Sequence, residues 1–209
     1  MPLNNNLEEG LLKVIVFFDG QNIYHLAKSA WAPVPAVANS PYCYPSYDVS
    51  KLATYLVNLQ PRRALTQTRF YTGVPNVQHD PFWNGFWSNK LRFLGSRGIY
   101  VYRGRVNPGG QEKGVDVSLA IDLINLTYEK QYDVAILVSQ DHDFGPAVKL
   151  AKQIAQDQGR QLRFESAFPC NLTNYRNIPR PRGVPGTIWS FIDKNVYDSC
   201  FDPTDYRRL

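Results

Sequence analysis

Two stretches of the chain are almost wholly apolar and then stop at carboxylates. "KVIVFF" (13–18) runs into Asp19-Gly20-Gln21-Asn22, and "YDVAILVS" (132–139) runs into Gln140-Asp141-His142-Asp143. A strand with one face in water alternates apolar and polar residues; an unbroken apolar run is what a parallel strand needs when helices cover both faces. Two such runs therefore constrain the chain to a sheet held between two helical layers.

The remaining segments fit that plan. "NIYHLAKSAW" predicts a helix with Ile23, Leu26, Ala27 and Ala30 on one side, and "DVSKLATYLVNLQ" a second helix capped by Asp48. "DPFWNGFWSNKLRFLGSRG" opens on Asp80-Pro81 and stops between Gly95 and Gly98. "VDVSLAIDLINLTYEK" is a helix that is apolar over most of its circumference, and "DFGPAVKLAKQIAQDQG" ends at Gly159. Between them "LTQTRFYTG", "IYVYRG" and "QLRFESA" suit strands. Residues 32–47 and 171–186, rich in Pro with Tyr and Ser or with Arg and Gly, are expected to be loops, and "TIWSFIDKNVYDSCFDP" adds a short strand and a helix. The predicted architecture is α/β: a single three-layer α/β/α domain with a mostly parallel central sheet over residues 13–168, an N-terminal extension at 1–12 and a C-terminal extension at 169–209 packed on the same domain.

Composition narrows the classes. A 209-residue chain with 44% hydrophobic and 13% aromatic residues has enough apolar surface for one substantial core. Its apolar runs are too short to span a bilayer, and residues 1–13 show no basic start followed by an apolar core, so the expected address is the cytoplasm. Cys43, Cys170 and Cys200 are scattered, without a CxxC or Cys/His spacing for zinc, and are expected as reduced thiols. The net charge of +5 favours an anionic partner.

The carboxylates point to the chemistry. Sites in open α/β sheets form at the carboxyl ends of strands. If strands 13–18 and 132–138 are neighbours, Asp19, Asp141 and Asp143 converge there, and the glycine-containing 104–113 loop lets Asp116, which opens its helix, reach the same rim. Crowded carboxylates repel unless a cation neutralises them. All-oxygen ligands without a His/Cys set suit Mg²⁺ or Mn²⁺, and carboxylate-bound ions suit phosphodiester hydrolysis.

The same residues carry a resemblance. "VFFDGQNIYHL", "EKGVDVSLAIDLI" and "DVAILVSQDHDFGPAV" resemble, in order, the D-G-x-N, K-x-x-D-V and S-x-D-x-D-F motifs of the NYN domain, a branch of the PIN-like ribonucleases. The resemblance implies a PIN-like sheet and metal-dependent endoribonuclease action on single-stranded or structured RNA; attack by metal-activated water is expected to leave a 5′-phosphate and a 3′-hydroxyl. It gives the acidic-site role to Asp19, Asp116, Asp141 and Asp143, makes Asn22 an orienting residue for Asp19 or a phosphate, and brings Lys113 to the substrate. His142 stands where a smaller residue is usual.

Each residue alone has a plainer reading. Asp19 could be a turn or cap, Asp141 and Asp143 a cap and its first-turn partner, and Asp116 an ordinary first-turn acid; it is their joint placement that argues for a shared site. Asn22 could be a helix-start residue and Lys113 a solvated loop lysine. Asp122 shares a stripe with Ser118, Asn125 and Glu129, which favours a solvated helix face, although the resemblance would draw it into the site. Among three arginine groups (Arg62/Arg63; Arg97, Arg103 and Arg105; Arg176, Arg180 and Arg182), Arg103 and Arg105 flank the loop to Asp116 and are the best phosphate-binding candidates. The rings of Phe82, Trp83, Phe86, Trp87 and Phe93 are expected in the core or in an oligomer contact, ahead of base stacking. Two other classes compete with a nuclease. One is a non-catalytic RNA-binding or regulatory module of the same fold. The other is a phosphatase with Asp19 as nucleophile, disfavoured because such enzymes usually place a second acid two residues on and Gln21 stands there.

Overall fold

In a computed structural model that describes residues 10–32, 42, 45–107, 109–172 and 181–206, the first apolar run is strand β1 (Leu12–Asp19), buried from Val14 onward. It lies between β2 (Arg63–Val74) and β5 (Val134–Val138), parallel to both, with Val14 beside Val134 and Phe18 beside Val138. Outward on one side come β3 (Tyr100–Val106), parallel, and β4 (Glu112–Lys113), antiparallel. On the other side come β6 (Arg163–Pro169) and β7 (Ile188–Ile192), both parallel. The sheet order is therefore β4-β3-β2-β1-β5-β6-β7.

Side chains alternate across β1, so consecutive residues feed different cores. Val14, Val16 and Phe18 pack with Ile23 of α1 (Gly20–Trp31), Leu52 and Leu56 of α2 (Val49–Asn58), and Leu91 and Leu94 of α3 (Pro81–Ser96). Ile15 and Phe17 pack with Leu119 and Leu123 of α4 (Val115–Tyr128) and with Val148 and Ala151 of α5 (Gly145–Asp157). These are the two helical layers that the unbroken apolar runs require. Each large side chain at 0% exposure contributes about 1.5–3 kcal/mol relative to an exposed one, so β1 alone anchors both layers. α4 has more apolar surface than one face can bury and leaves Val117, Ile121 and Tyr128 exposed. No helix among the described residues is long and apolar enough to cross a membrane.

One feature departs from the sequence expectation. The loop expected over 104–113 turns back through Asn107, whose backbone N–H donates to the Gln111 carbonyl at 2.9 Å, and β4 pairs antiparallel to β3. A two-residue strand has no periodicity to detect. The 171–186 segment ends before β7, which joins the sheet, and α6 (Lys194–Ser199) packs Tyr197 into the same core as α1 and α2. Cys43, Arg176 and Arg180 lie outside the described residues; Cys170 and Cys200 are buried.

Candidate active site

The chain leaves β1 toward β2 on one side and returns as β5 on the other, so the strand order reverses between β1 and β5. A crevice forms at the carboxyl ends of strands at such a point, and Asp19 stands at its base. Asp19 is 3% exposed. Its Oδ1 accepts the Asn22 N–H at 3.1 Å, and its Oδ2 accepts the Ser139 hydroxyl, from the end of β5, at 3.0 Å. The cap reading of Asp19 is thus realised, and the same carboxylate is tied to the end of β5. Glycine follows because a Cβ at position 20 would lie 2.8 Å from the Phe70 ring and 3.0 Å from the Tyr71 carbonyl oxygen.

The two-aspartate turn is tied to the same point. Ser139 Oγ accepts the Asp141 N–H at 3.0 Å, and Asp141 Oδ1 accepts the Asp143 N–H at 2.9 Å, capping a 3-10 turn over His142–Phe144. Asn22 Oδ1 accepts the Gln140 N–H at 3.0 Å, so Asn22 clamps the start of α1 to the β5 turn and orients Asp19 through its backbone. Asp143 and His142 remain exposed.

Asp116 sits in the first turn of α4, after Gly114 in a left-handed conformation with φ +79. Burial, and then the charges of Asp141 and Asp143, raise its carboxyl above the ordinary range. Burial raises Asp19 from 3.8 to about 7, with the Asp116 and Glu112 charges adding to it and the bonds from Asn22 and Ser139 opposing it. The four acids expected from the sequence are therefore electrostatic neighbours.

Glu112 is a fifth that the sequence reading passed over. It is raised to about 7, chiefly by burial and also by Asp116, while it accepts the Gly73 N–H and the Thr72 hydroxyl, the latter at 3.2 Å. The signal was its position inside "EKG", beside the residues already singled out. Without the β3–β4 hairpin, nothing turned it toward the acids.

The oxygen-only donors and their mutual repulsion suit a hard divalent cation. Among the described residues, no group of three or more His, Cys, Asp or Glu side chains is arranged to hold a metal ion as it stands. The fit is one of donor chemistry and charge; the coordination shell is not pre-closed.

Other candidates fall elsewhere. Arg103 and Arg105 alternate with Tyr102 and Gly104, which face α4, so they point to the opposite sheet face and line a cleft with Val74, Pro75 and Asn84. Lys113 is the direct antiparallel partner of Arg105 and shares that face. The expectation that the two arginines border Asp116 is corrected: the hairpin brings them to the same end of the sheet but turns them to its other side. Asp122 is neither solvated nor among the acids. It accepts Arg69 Nη2 at 2.7 Å and the Tyr71 hydroxyl at 2.6 Å. The aromatic cluster divides: Trp87 and Phe93 pack against the core beneath α3, whereas Phe82 is 48% exposed.

A doubly wound sheet with clustered acids at its switch point defines a class of α/β site suited to phosphoester chemistry. The NYN domain model matches residues 13–155, and the chain belongs to that family, a family of PIN-like nucleases. The match runs from β1 into the last turn of α5 and stops before β6. A crystal structure of a protein of unknown function from Vibrio parahaemolyticus superposes with a TM-score of 0.55 at 20% identity, covering 93% of this chain and 98% of that one. At that identity the likeness concerns the fold. No curated protein matches the sequence significantly.

Proposed function

We propose that the protein is a Mg²⁺- or Mn²⁺-dependent endoribonuclease whose metal-holding residues are Asp19, Asp116, Asp141 and Asp143, with Glu112 beside them. The observation that carries this reading is the gathering of carboxylates at the β1–β5 switch point, where burial first, and the neighbouring acids' charges after it, hold Asp19 and Glu112 near pKa 7. Such crowding destabilises a fold unless a cation or a proton occupies it. When bound, a divalent ion would supply that neutralisation and an activated water for attack on phosphorus.

The chain's own residues do the positioning. Ser139 links Asp19 to the Asp141 backbone, and Asn22 ties α1 to the β5 turn, so hydrogen bonds join the acids that follow the two strands. Family membership supports RNA as the substrate class. The exposed Asp143 and Asp116 leave the rim open to a long substrate.

The test compares wild type with Asp141→Asn on labelled RNA, with and without Mn²⁺. The amide oxygen can still accept the Asp143 N–H, so the turn survives while one anionic ligand is lost. Cleavage should fall by more than the roughly 10–100-fold that losing an outer-shell partner costs. Equal cleavage by both proteins would refute the reading. The open coordination geometry favours a second reading, a non-catalytic RNA-binding module; RNA binding by wild type with no cleavage under any divalent ion would establish it.

A further inference from the structure

The aromatic residues of α3 meet α1 in an arrangement that the acids do not explain. Tyr24, Trp83 and Trp87 line a groove of about 530 Å³, and the same three residues line a second cavity of about 370 Å³. Open space thus lies against this wall on two sides. Rings packed only as core would be enclosed; these are half-buried.

The larger groove has the polar chemistry of a base site. Gln21, Asn76 and Asn107 bring amides to it, the oxygens of Asn76 and Asn107 already accepting the Gln78 and Gln111 N–H groups at 2.8 Å. Lys28 and His25 line it from the exposed side of α1. The one carboxylate in its lining, Asp80, is engaged in capping α3, accepting the Trp83 N–H at 2.9 Å. The groove is continuous with what surrounds it. It begins at Gln21, two residues after Asp19, and it shares Pro75, Asn76 and Val106 with the cleft lined by Arg103 and Arg105.

We propose that this groove is a substrate subsite in which unpaired bases of a single-stranded RNA stack on the Tyr24–Trp83–Trp87 wall while the adjoining phosphates lie on Arg103, Arg105 and Lys113. The proposal rests on RNA as the substrate class. Stacking on an aromatic face tolerates any base but requires it to be unpaired, so the groove would select single strands over duplex. The basic strip on the sheet face opposite the acids has a use here, because a strand crossing the top of the sheet meets the acids first and the arginines last. The groove's volume falls within the roughly 300–1,000 Å³ of small-molecule sites.

The experiment is fluorescence anisotropy of a labelled RNA 12-mer, single-stranded and as a duplex of the same sequence, in EDTA, with wild type, Trp83→Ala, Trp83→Phe and Lys28→Glu. Single strands should bind wild type more tightly than the duplex does. Trp83→Ala should weaken single-strand binding about tenfold, the scale of one lost stacking contact, and Trp83→Phe should restore most of it. Equal affinity for single strand and duplex, or a folded Trp83→Ala protein that binds like wild type, would overturn the proposal. Should Trp83→Ala lose the wild-type circular dichroism, Lys28→Glu decides: a severalfold loss at low salt supports the subsite and no loss overturns it. Binding without metal makes no demand on the acids. Absent cleavage with selective binding intact would therefore sink the nuclease reading alone, and cleavage with unselective binding would sink this one alone.

Discussion

Replacing Asp19 by Asn tests the electrostatic core of the site without relying on activity. Asp19 titrates near 7 in the folded protein against 3.8 for an ordinary aspartate. Below 3.8 both folded and unfolded chains hold the proton. Between 3.8 and about 7 the unfolded chain has released a proton that the folded chain keeps, so folding loses stability as pH rises. Above about 7 both are ionised and the loss is complete. Each pH unit in that window costs about 1.4 kcal/mol. From pH 5 to pH 8.5, across the two units that remain below 7, wild type should lose at most about 3 kcal/mol more than Asp19→Asn. The amide still offers an oxygen to the Asn22 N–H, so the two proteins should be close at pH 5. Urea unfolding in EDTA, followed by far-UV circular dichroism at pH 5, 6, 7 and 8.5, measures the difference. Glu112 titrates in both proteins and so does not create it. Parallel loss of stability in the two would mean that water or a rearranged loop already relieves Asp19, and the crowded-acid argument would fail.

The other expectations concern metal, ion pairs and packing. Mn²⁺ at pH 8 should stabilise wild type by about 2.7 kcal/mol at a hundredfold excess over its dissociation constant, and Asp141→Asn by much less, read as a shift in the urea midpoint; equal shifts would place the ion elsewhere. Glu165→Ala should cost about 3–5 kcal/mol, because it strands Arg63, whose side chain is 2% exposed and donates to both carboxylate oxygens at 3.1 and 2.5 Å. Gly104→Ala should cost about 1–3 kcal/mol and reduce cleavage, since its Cβ would lie 2.4 Å from the Val115 side chain and push away the turn that carries Asp116; wild-type cleavage in that variant would show that Asp116 tolerates displacement. Asp122→Asn should lose roughly 1.5–3 kcal/mol from weakened bonds to Arg69 and Tyr71 while leaving the Mn²⁺ stabilisation unchanged; loss of that response would return Asp122 to the site.

Much of the molecule is written locally. Val14 to Phe18 and Val134 to Val138 are apolar on both sides, which by itself demands two helical layers and a parallel sheet. Asp48 and Asp80 announce helix starts because an N-cap needs only its own next three residues. The convergence of Asp19 with Asp141 follows from one inference, that the two apolar strands are neighbours, and their pairing bears it out. Side-chain direction at the rim was not legible in this way. A hairpin closed by a two-residue strand turns Glu112 toward the acids and Arg103, Arg105 and Lys113 away from them, and only cross-strand register sets that direction. Asp122 looked like a solvated helix position because its partners, Arg69 and Tyr71, lie more than fifty residues away in the chain. Periodicity told which face of each element is apolar; only the packed sheet decided which polar groups meet at its edge, because those meetings depend on contacts distant in the chain.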